Sequence, residues 1–377
     1  MKKIIFLGLI LSFQGLSFNS IAQEIEEHSC STFMLKKDSI VIAGHNLDKG
    51  KHAHGIVVIN KRNVQKQGKS WTELAYNQAV PNPKMEWTSK YGSVTVNRFC
   101  RDFPDGGMNE AGLFIEEMSL AGTSWPVDDS TKPKIFMCLW MQYALDCFET
   151  IDQVVQSAHD LSIEGWSWHF FTADRNGNAA VIEFLDGKVV VYKGEDLPIS
   201  VLANTAYAEE LKLIKEYEGF GGTKKIDLEN DQMTVFNYGA KMTKEFNPSK
   251  SLAIEYGFDM LKKFSWSGTQ WSYVCDLKNL KVYFKTQPSP EIKTIDFAEL
   301  DFSCETPVKM LDIHAFLSGP VEKYFQDYST EYNMGAVKTT FLISNYEEVF
   351  IKFGSTLEQA VSNFGRYSDR TNCTSNK

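Results

Sequence analysis

The chain has 377 residues, of which 43% are apolar and 23% are charged. This composition is typical of a globular protein that is long enough to bury a substantial core. The formal net charge is −9 at pH 7 and the basic residues are dispersed, which excludes the basic surface stripe that a nucleic-acid-binding protein needs. The composition therefore favours an acidic enzyme whose partner is a small molecule.

The amino terminus predicts export. Residues 1–22 begin with Lys2 and Lys3, continue with an apolar run over residues 4–13 and end in small residues, which is the pattern of a secretory signal peptide. The apolar run is too short for a stable membrane span, and no second run of spanning length follows it, so we expect no integral membrane segment in the mature chain. The polar residues 23–29 are interpreted as a short, removable pro-segment. The predicted location is the bacterial periplasm.

The cysteines are odd in number, so at least one of them is unpaired; they are Cys30, Cys100, Cys138, Cys147, Cys275, Cys304 and Cys373. No pair has the C-x-x-C spacing, which disfavours a structural zinc site. Cys138 and Cys147 fall in a predicted apolar helix and are interpreted as buried thiols. We expect neither a metal nor an organic cofactor.

The chain after residue 29 begins with three short alternating or β-branched runs. Residues 31–35, 39–44 and 55–60 are bounded by turn residues and predict neighbouring antiparallel strands. Further strands are predicted at 91–97 and 113–118, with a glycine-rich turn between them.

The central part of the chain alternates between helices and strands. Helices are predicted at residues 134–148, 151–161, 206–217, 232–246 and 252–264, and strands at residues 169–173, 179–184, 188–192, 271–276 and 281–285. Two antiparallel sheets covered by helices imply an α+β protein with four αββα layers. We assign residues 30–305 to one domain and residues 306–377 to an extension of helix and loop without an assigned role.

Cys30 is the candidate nucleophile. If the peptide bond before it is cut, one residue carries both a thiol and a free amine, and so combines nucleophile and base. The amine, with an ordinary pKa of about 7.7 to 8.0, is partly deprotonated near neutral pH. Asp48 lies 18 positions later, across a predicted hairpin, where it would orient the ammonium group. Asn204 ends a short apolar run and can supply uncharged N–H donors to an oxyanion.

Each of these residues also has a structural interpretation. A cysteine in an exported protein is more often structural than catalytic, and Asp48 and Asn204, taken singly, are more often turn or capping residues. His45 is interpreted first as a half-buried imidazole. His169 falls in a predicted strand, where a packing role is favoured over a ligand role.

Several short motifs, taken in order, are specific as a set. They are Cys30-Ser31-Thr32-Phe33, Gly44-His45-Asn46-Leu47-Asp48, Trp87-Thr88-Ser89-Lys90-Tyr91-Gly92-Ser93-Val94, Gly107-Met108-Asn109-Glu110-Ala111-Gly112-Leu113, Val201-Leu202-Ala203-Asn204 and Thr269-Gln270-Trp271. This set resembles the choloylglycine hydrolase family of linear-amide carbon–nitrogen hydrolases, which includes bile salt hydrolases and penicillin V acylases. The resemblance covers about residues 30–305 and implies the N-terminal nucleophile hydrolase fold. It also implies that Cys30 is the nucleophile, Asp48 the active-site aspartate and Asn204 the oxyanion-hole asparagine.

Three positions depart from the family pattern that the resemblance implies. His45 stands where the family has an arginine, a second oxyanion position falls on Ser119, and a further arginine position falls near Tyr238. Ser119 could still serve, since that contact is made largely by a backbone N–H. An imidazole favours a thiolate less than a guanidinium does, and we expect protonation of His45 at mildly acidic pH to restore part of that charge.

The sequence therefore predicts an exported hydrolase that cleaves an N-acyl amide with an autoprocessed N-terminal cysteine. The alternative is a catalytically silent ligand-binding protein on the same fold, because two family arginines are missing. A third hypothesis, a disulfide-stapled structural protein, requires Cys30 to be paired. Assembly into a homo-oligomer is left open.

Overall fold

The structure is a computed structural model that describes residues 30–49, 53–230, 233–248 and 252–374. The predicted signal peptide (1–22) and pro-segment (23–29) lie outside the described residues. Within these ranges, no helix is long and apolar enough to cross a membrane.

The strands of the described residues share two large sheets and two small ones. In chain order they are β1 (Ser31–Lys37), β2 (Ile40–Asp48), β3 (Ile56–Asn60), β4 (Val64–Gln67), β5 (Glu86–Thr88), β6 (Ser93–Asn97), β7 (Gly106–Asn109), β8 (Phe114–Ser119), β9 (Lys134–Phe136), β10 (Ser162–Glu164), β11 (Trp168–Ala173), β12 (Ala179–Leu185), β13 (Lys188–Lys193), β14 (Val201–Leu202), β15 (Thr269–Asp276), β16 (Lys281–Thr286), β17 (Lys293–Asp296), β18 (Lys309–Asp312), β19 (Gly319–Pro320), β20 (Gln326–Asp327) and β21 (Asn372–Cys373).

The described residues also form α-helices, several of which pack on the large sheets. In chain order they are α1 (Trp71–Tyr76), α2 (Met137–Cys147), α3 (Ile151–Asp160), α4 (Tyr207–Leu213), α5 (Val235–Glu245), α6 (Ala253–Phe264), α7 (Thr330–Ile343), α8 (Glu347–Lys352) and α9 (Leu357–Gly365).

The two large sheets pack face to face. The first has the strand order β14-β1-β2-β15-β16-β17-β19 and the second has the order β13-β12-β11-β8-β7-β6-β3-β18-β20. Helices α5 and α6 pack on the first sheet, and α2 and α3 pack on the second. This arrangement confirms the predicted α+β fold with four αββα layers.

Strand β2 is buried along nearly its whole length because it has a helix on one face and the second sheet on the other. Gly44 permits close packing there, since a Cβ atom at this position would lie 2.5 Å from Cε1 of Phe33. On the opposite face, the rings of Phe114 and Tyr273 bring the two sheets together, with centroids 6.2 Å apart. The hairpin that carries Cys30 and Asp48 is therefore held from both sides.

Several predicted elements are confirmed. The meander of β11, β12 and β13 has antiparallel pairing throughout, and its second turn uses the left-handed residues Asp186 (φ 51°) and Gly187 (φ 71°), as such tight hairpins require. Helix α3 begins after Thr150, whose backbone N–H donates to Oε1 of Gln153 at 3.1 Å.

Three predictions about local elements are wrong. The run at 55–60 forms β3, but β3 pairs with β6 and β18 in the second sheet, because β15 occupies the edge of β2 where a third local strand would have paired. The glycine-rich segment between the predicted strands contains β7, a buried strand of the second sheet. The helix predicted at 134–148 starts only at Met137, after the short strand β9.

Residues after 305 continue both large sheets before they form helices. Strand β18 pairs with β3, and β19 pairs with β17. Helix α9 then packs on α1, and the ring centroid of its Phe364 lies 5.0 Å from that of Phe99, in the segment between β6 and β7. A disulfide between Cys304 and Cys373 closes this part of the chain.

Candidate active site

The β1–β2 hairpin returns Asp48 to the start of β1, where Cys30 lies. Ser31 pairs with Asn46 in the antiparallel ladder, so the residues just beyond that pair meet at the same end of the hairpin. The Cys30 side chain is buried, with 6% of the residue exposed, and its Sγ lies 3.9 Å from the backbone oxygen of Asp48. The local pairing of two neighbouring strands thus brings the predicted nucleophile and aspartate together.

The Asp48 carboxylate is held by the adjacent strand β15. The hydroxyl of Thr269 donates to Asp48 Oδ1 at 2.5 Å, and the same hydroxyl oxygen accepts from the backbone N–H of Trp266 at 3.1 Å. The next residue, Gln270, donates from Nε2 to the backbone oxygen of Lys49 at 2.8 Å. The Thr269-Gln270 pair therefore fixes both the carboxylate and the backbone that follows it.

We expect Thr269→Val to reduce kcat about 10- to 100-fold, because a hydrogen bond to a charged group contributes about 1.5–3 kcal/mol and 1.4 kcal/mol corresponds to a factor of ten. Valine keeps the shape of threonine but removes the donor to Asp48. Steady-state amide hydrolysis measures the effect, and Thr269→Ser is the matched control because it keeps the hydroxyl. A valine variant that is as active as the serine variant would contradict the prediction.

Asn204 follows β14, which lies on the other side of β1. Leu202 pairs with Thr32 in an antiparallel register. Cys30 lies two residues before Thr32 and Asn204 two residues after Leu202, so the same register places Asn204 opposite Cys30. The Oδ1 atom of Asn204 is buried and has no hydrogen-bond partner among the described residues. The unpartnered atom is an acceptor, so the proposed donor role of Asn204 rests on its position opposite Cys30 at the end of the sheet where Cys30 and Asp48 meet.

His45 is more deeply buried than the sequence indicated. Its exposed fraction is 1%, and Nδ1 lies 2.9 Å from Oγ1 of Thr32 and 3.6 Å from Oε2 of Glu116. Burial, with a smaller contribution from Arg98, lowers the pKa of His45 to about 3, and burial raises the pKa of Glu116 well above its ordinary value. The lowered pKa leaves the His45 imidazole neutral at mildly acidic pH, so the expectation that His45 gains a charge there is wrong.

This lowered pKa predicts a pH-dependent contribution to stability. Between about pH 6.5 and pH 3 the unfolded state, with a His pKa of about 6.5, binds a proton at position 45 that the folded state excludes. The contribution of His45 to the free energy of unfolding should therefore fall as the pH drops from 7 to 4. We expect the wild type to lose about 3 kcal/mol more than His45→Gln does over this range, measured by urea unfolding at both pH values. An equal loss in the two proteins would contradict the lowered pKa.

The two remaining predicted positions lie on different layers. Ser119 is the exposed last residue of β8 in the second sheet and pairs with Trp168. Tyr238 lies on α5, where its hydroxyl donates to the backbone oxygen of Asn230 and the Nζ of Lys263 sits 4.7 Å from its ring centroid. Their proposed accessory roles stay predictions.

A buried charge cluster near the site was not predicted from the sequence. The guanidinium of Arg98 lies 3.0 Å from an Asp105 oxygen and 3.2 Å from a Glu117 oxygen. Burial raises the pKa of Glu117 to about 8, although Arg98 opposes this shift. Burial also raises the pKa of the Cys30 thiol well above its ordinary value; Glu117 and Asp48 add to this increase, and Arg98 counteracts it. A positive charge thus still acts on the thiol, but from the second sheet rather than from position 45.

The cysteines and the possible metal ligands bear on the remaining hypotheses. Cys30 is a free thiol, as are Cys100, Cys138, Cys147 and Cys275. The hypothesis of a disulfide-stapled structural protein requires a paired Cys30, and the free thiol does not support that hypothesis. In the described parts of the chain, no group of three or more His, Cys, Asp or Glu side chains is arranged to hold a metal ion.

Two antiparallel sheets packed between helix layers, with a thiol residue at the start of an internal strand, define the fold class of the N-terminal nucleophile hydrolases. The family model of the linear amide C–N hydrolases, choloylglycine hydrolase family, matches residues 30–251. This match spans more than half of the chain, and the chain belongs to this family of linear-amide hydrolases.

Individual relatives agree with this assignment. Penicillin V acylase from Pectobacterium atrosepticum is 26% identical over 276 residues, which cover 61% of this chain and 73% of the relative. The structure of penicillin V acylase from Agrobacterium tumefaciens is similar with a TM-score of 0.66 and 26% identity, covering 80% of this chain and 98% of that one. A mutant conjugated bile acid hydrolase from Clostridium perfringens, at 17% identity, shares the fold with a TM-score of 0.60 over 75% of this chain and 96% of its own.

Proposed function

We propose that this chain is an exported amidase in which Cys30, once freed at its amino terminus, attacks a linear amide between a hydrophobic acyl group and a small polar amine. The observation that carries the proposal is the meeting of Cys30, Asp48 and Asn204 at one end of the adjacent strands β14, β1 and β2. The relatives named as acylase and bile acid hydrolase support this class of substrate.

The proposed reaction divides one difficult step into two. The α-amine of Cys30 takes the thiol proton, the thiolate attacks the amide carbonyl, and the amide of Asn204 donates to the oxyanion. When the tetrahedral intermediate collapses, the C–N bond breaks and the ammonium returns its proton to the leaving amine. A water molecule, deprotonated by the same α-amine, then attacks the thioester; the C–S bond breaks, the carboxylic acid is released, and the ammonium group returns its proton to the Cys30 sulfur.

The electrostatics of the site link activity to cleavage of the leader. While residue 30 is internal, its nitrogen is an amide and cannot act as a base. Burial and the carboxylates of Glu117 and Asp48 keep the pKa of the thiol high, so the thiolate is scarce at neutral pH. Cleavage creates an amine next to the thiol, and the nearby carboxylate of Asp48 then stabilises the resulting ammonium group.

Two observations support the proposed export. Residues 1–22 have the pattern of a secretory signal, and the structure forms a disulfide between Cys304 and Cys373, a bond that persists in oxidising compartments. A bacterial periplasm provides both the export route and this redox environment.

The decisive experiment combines intact-mass measurement with a substrate panel. Protein purified from the periplasm should begin at Cys30, and it should hydrolyse at least one member of a set of acyl-amino acids, conjugated bile acids, phenoxyacetyl amides and acyl homoserine lactones. A mature chain that keeps residues 23–29 and hydrolyses none of these compounds would refute the proposal.

The alternative, a silent ligand-binding protein, is favoured by one observation: position 45 carries a neutral, buried imidazole. Labelling with iodoacetamide at pH 7 separates the two functions. An activated Cys30 should react far faster than the other four free thiols, whereas slow and equal labelling of all five would favour the silent protein.

A further inference from the structure

A line of buried polar groups joins the second sheet to the segment that carries Asn204. Oε1 of Glu183, on β12, lies 3.0 Å from Nδ1 of His169 on β11. Nε2 of His169 lies 2.7 Å from the backbone oxygen of Ala203. Glu183 and His169 are both completely buried, so this line crosses the interior between the two large sheets.

The same carboxylate oxygen also holds the other end of the segment. The backbone N–H of Tyr207, the first residue of α4, donates to Oε1 of Glu183 at 2.9 Å. Tyr207 is in turn anchored by its hydroxyl, which donates to the backbone oxygen of Ile199 at 2.8 Å. The Glu183–His169 pair therefore tethers the chain on both sides of Asn204.

The contact to Ala203 determines the direction of the next residue. A peptide group is planar, so the Ala203 oxygen and the Asn204 nitrogen lie in one rigid unit. Because Nε2 of His169 faces a carbonyl oxygen, Nε2 must carry a hydrogen and donate it. That hydrogen bond fixes the rotation of the peptide plane, and with it the direction in which Asn204 leaves β14.

A purely structural role explains this pair poorly. Burying a polar or ionisable side chain costs free energy unless it is hydrogen-bonded, and apolar residues of similar volume are often equally stabilising at such positions. The neighbouring residues Phe170 and Phe171 fill the core without polar groups. The pair does what an apolar side chain cannot do, which is to hold one backbone carbonyl in one direction.

We propose that His169 and Glu183 are positioning residues that hold Asn204 in place to receive the oxyanion formed at the acyl carbon. This inference rests on the proposed function, since it assigns to Asn204 the role described above. It adds two residues from the second sheet to the predicted trio of Cys30, Asp48 and Asn204, which lie at the ends of strands of the first sheet.

The test compares His169→Phe with His169→Gln. Phenylalanine fills the space without a donor, whereas the glutamine amide can place an N–H near the position of Nε2. We expect kcat to fall about 10- to 100-fold in His169→Phe, the size of effect that a small misplacement of a catalytic group produces. KM and the rate of Cys30 alkylation by iodoacetamide should stay within about 3-fold of the wild type, because the thiol and its amine are unchanged. His169→Gln should recover most of the lost kcat.

Two further variants test whether a loss of kcat arises from misfolding or from any histidine substitution. The double variant His169→Phe/Glu183→Leu replaces both polar partners with apolar groups, so no carboxylate is left buried without its partner; it should fold and still show the reduced kcat. His159→Phe, at the exposed end of α3, is the matched control and should keep wild-type kcat.

A readout other than turnover separates failure of this inference from failure of the proposed function. Octanal forms a hemithioacetal with a reactive thiol, and its oxygen then lies where the oxyanion would form. We expect octanal to inhibit Cys30 alkylation about 10-fold more weakly in His169→Phe than in the wild type. If the wild type neither hydrolyses an amide nor binds octanal, the proposed function fails and takes this inference with it. If the wild type does both and His169→Phe equals it in kcat and octanal affinity, this inference alone is overturned.

Discussion

Cys30→Ala is expected to abolish amide hydrolysis and to leave the pro-segment attached. Alanine removes the sulfur that lies 3.9 Å from the Asp48 backbone oxygen, and no other group in the proposed mechanism can form the covalent acyl intermediate. Activity should fall to the uncatalysed background, a larger loss than substitution of Thr269, His169 or Asn204 would cause. The intact mass should include residues 23–29, because the thiol is also the proposed nucleophile of trimming.

The matched control for this prediction is Cys147→Ala. Cys147 is another free thiol, half-buried at the end of α2. Its replacement should change neither the activity nor the removal of residues 23–29. Because the mass and activity measurements are made on the same preparation, they separate the two roles of Cys30. A Cys30→Ala protein that hydrolyses the amide at the wild-type rate would remove the nucleophile from the proposed mechanism.

Asn204→Ala is expected to lower kcat by about 100- to 1,000-fold, since the loss of one oxyanion donor has that effect in other hydrolases. KM should change little, because the donor acts on the charge that develops in the transition state rather than on the substrate's ground state. Single-turnover acylation of Cys30, followed by mass, would show that the loss falls on formation of the thioester.

Asn204→Asp sharpens this test. Aspartate has almost the same shape as asparagine but offers acceptor oxygens in place of N–H donors, and its charge opposes the developing oxyanion. The loss in kcat should therefore equal or exceed that of the alanine variant, while Cys30 stays in place. If the aspartate variant keeps wild-type kcat, Asn204 is not an oxyanion donor, and its position opposite Cys30 does not serve catalysis in this way.

Local sequence patterns predicted most of the elements near the site. The alternating pattern of residues 31–35 and 39–44 predicted the strands observed as β1 and β2. The spacing between Cys30 and Asp48 predicted the hairpin that these two strands form. These features depend on residues close in the chain, where backbone preferences and turn chemistry act directly.

The features of the site that were not predicted depend mainly on contacts between residues far apart in the sequence, which no local pattern encodes. Strand β15 pairs with β2 across more than 200 residues, so the Thr269-Gln270-Trp271 motif does not by itself predict that Thr269 lies beside Asp48. The burial of His45 against Glu116 likewise arises only when the two sheets pack. The contact of His169 with Glu183 is different, because it joins the neighbouring strands β11 and β12 of one sheet and follows from the local pairing of two predicted strands. The position of a histidine in a predicted strand indicates that it is buried, but does not show which residue of another sheet its ring contacts.

The disulfide that joins Cys304 to Cys373 spans 69 positions of the sequence and makes the carboxyl-terminal helices part of a covalent ring. A single protease cut inside that ring would leave both fragments attached, so the nicked protein would keep its full mass until a reductant was added. Reduction would also return about 4 kcal/mol of chain entropy to the unfolded state. The carboxyl-terminal helices should therefore detach first in a thiol-rich environment, exposing the aromatic residues beneath them to a protease that leaves the oxidised protein intact.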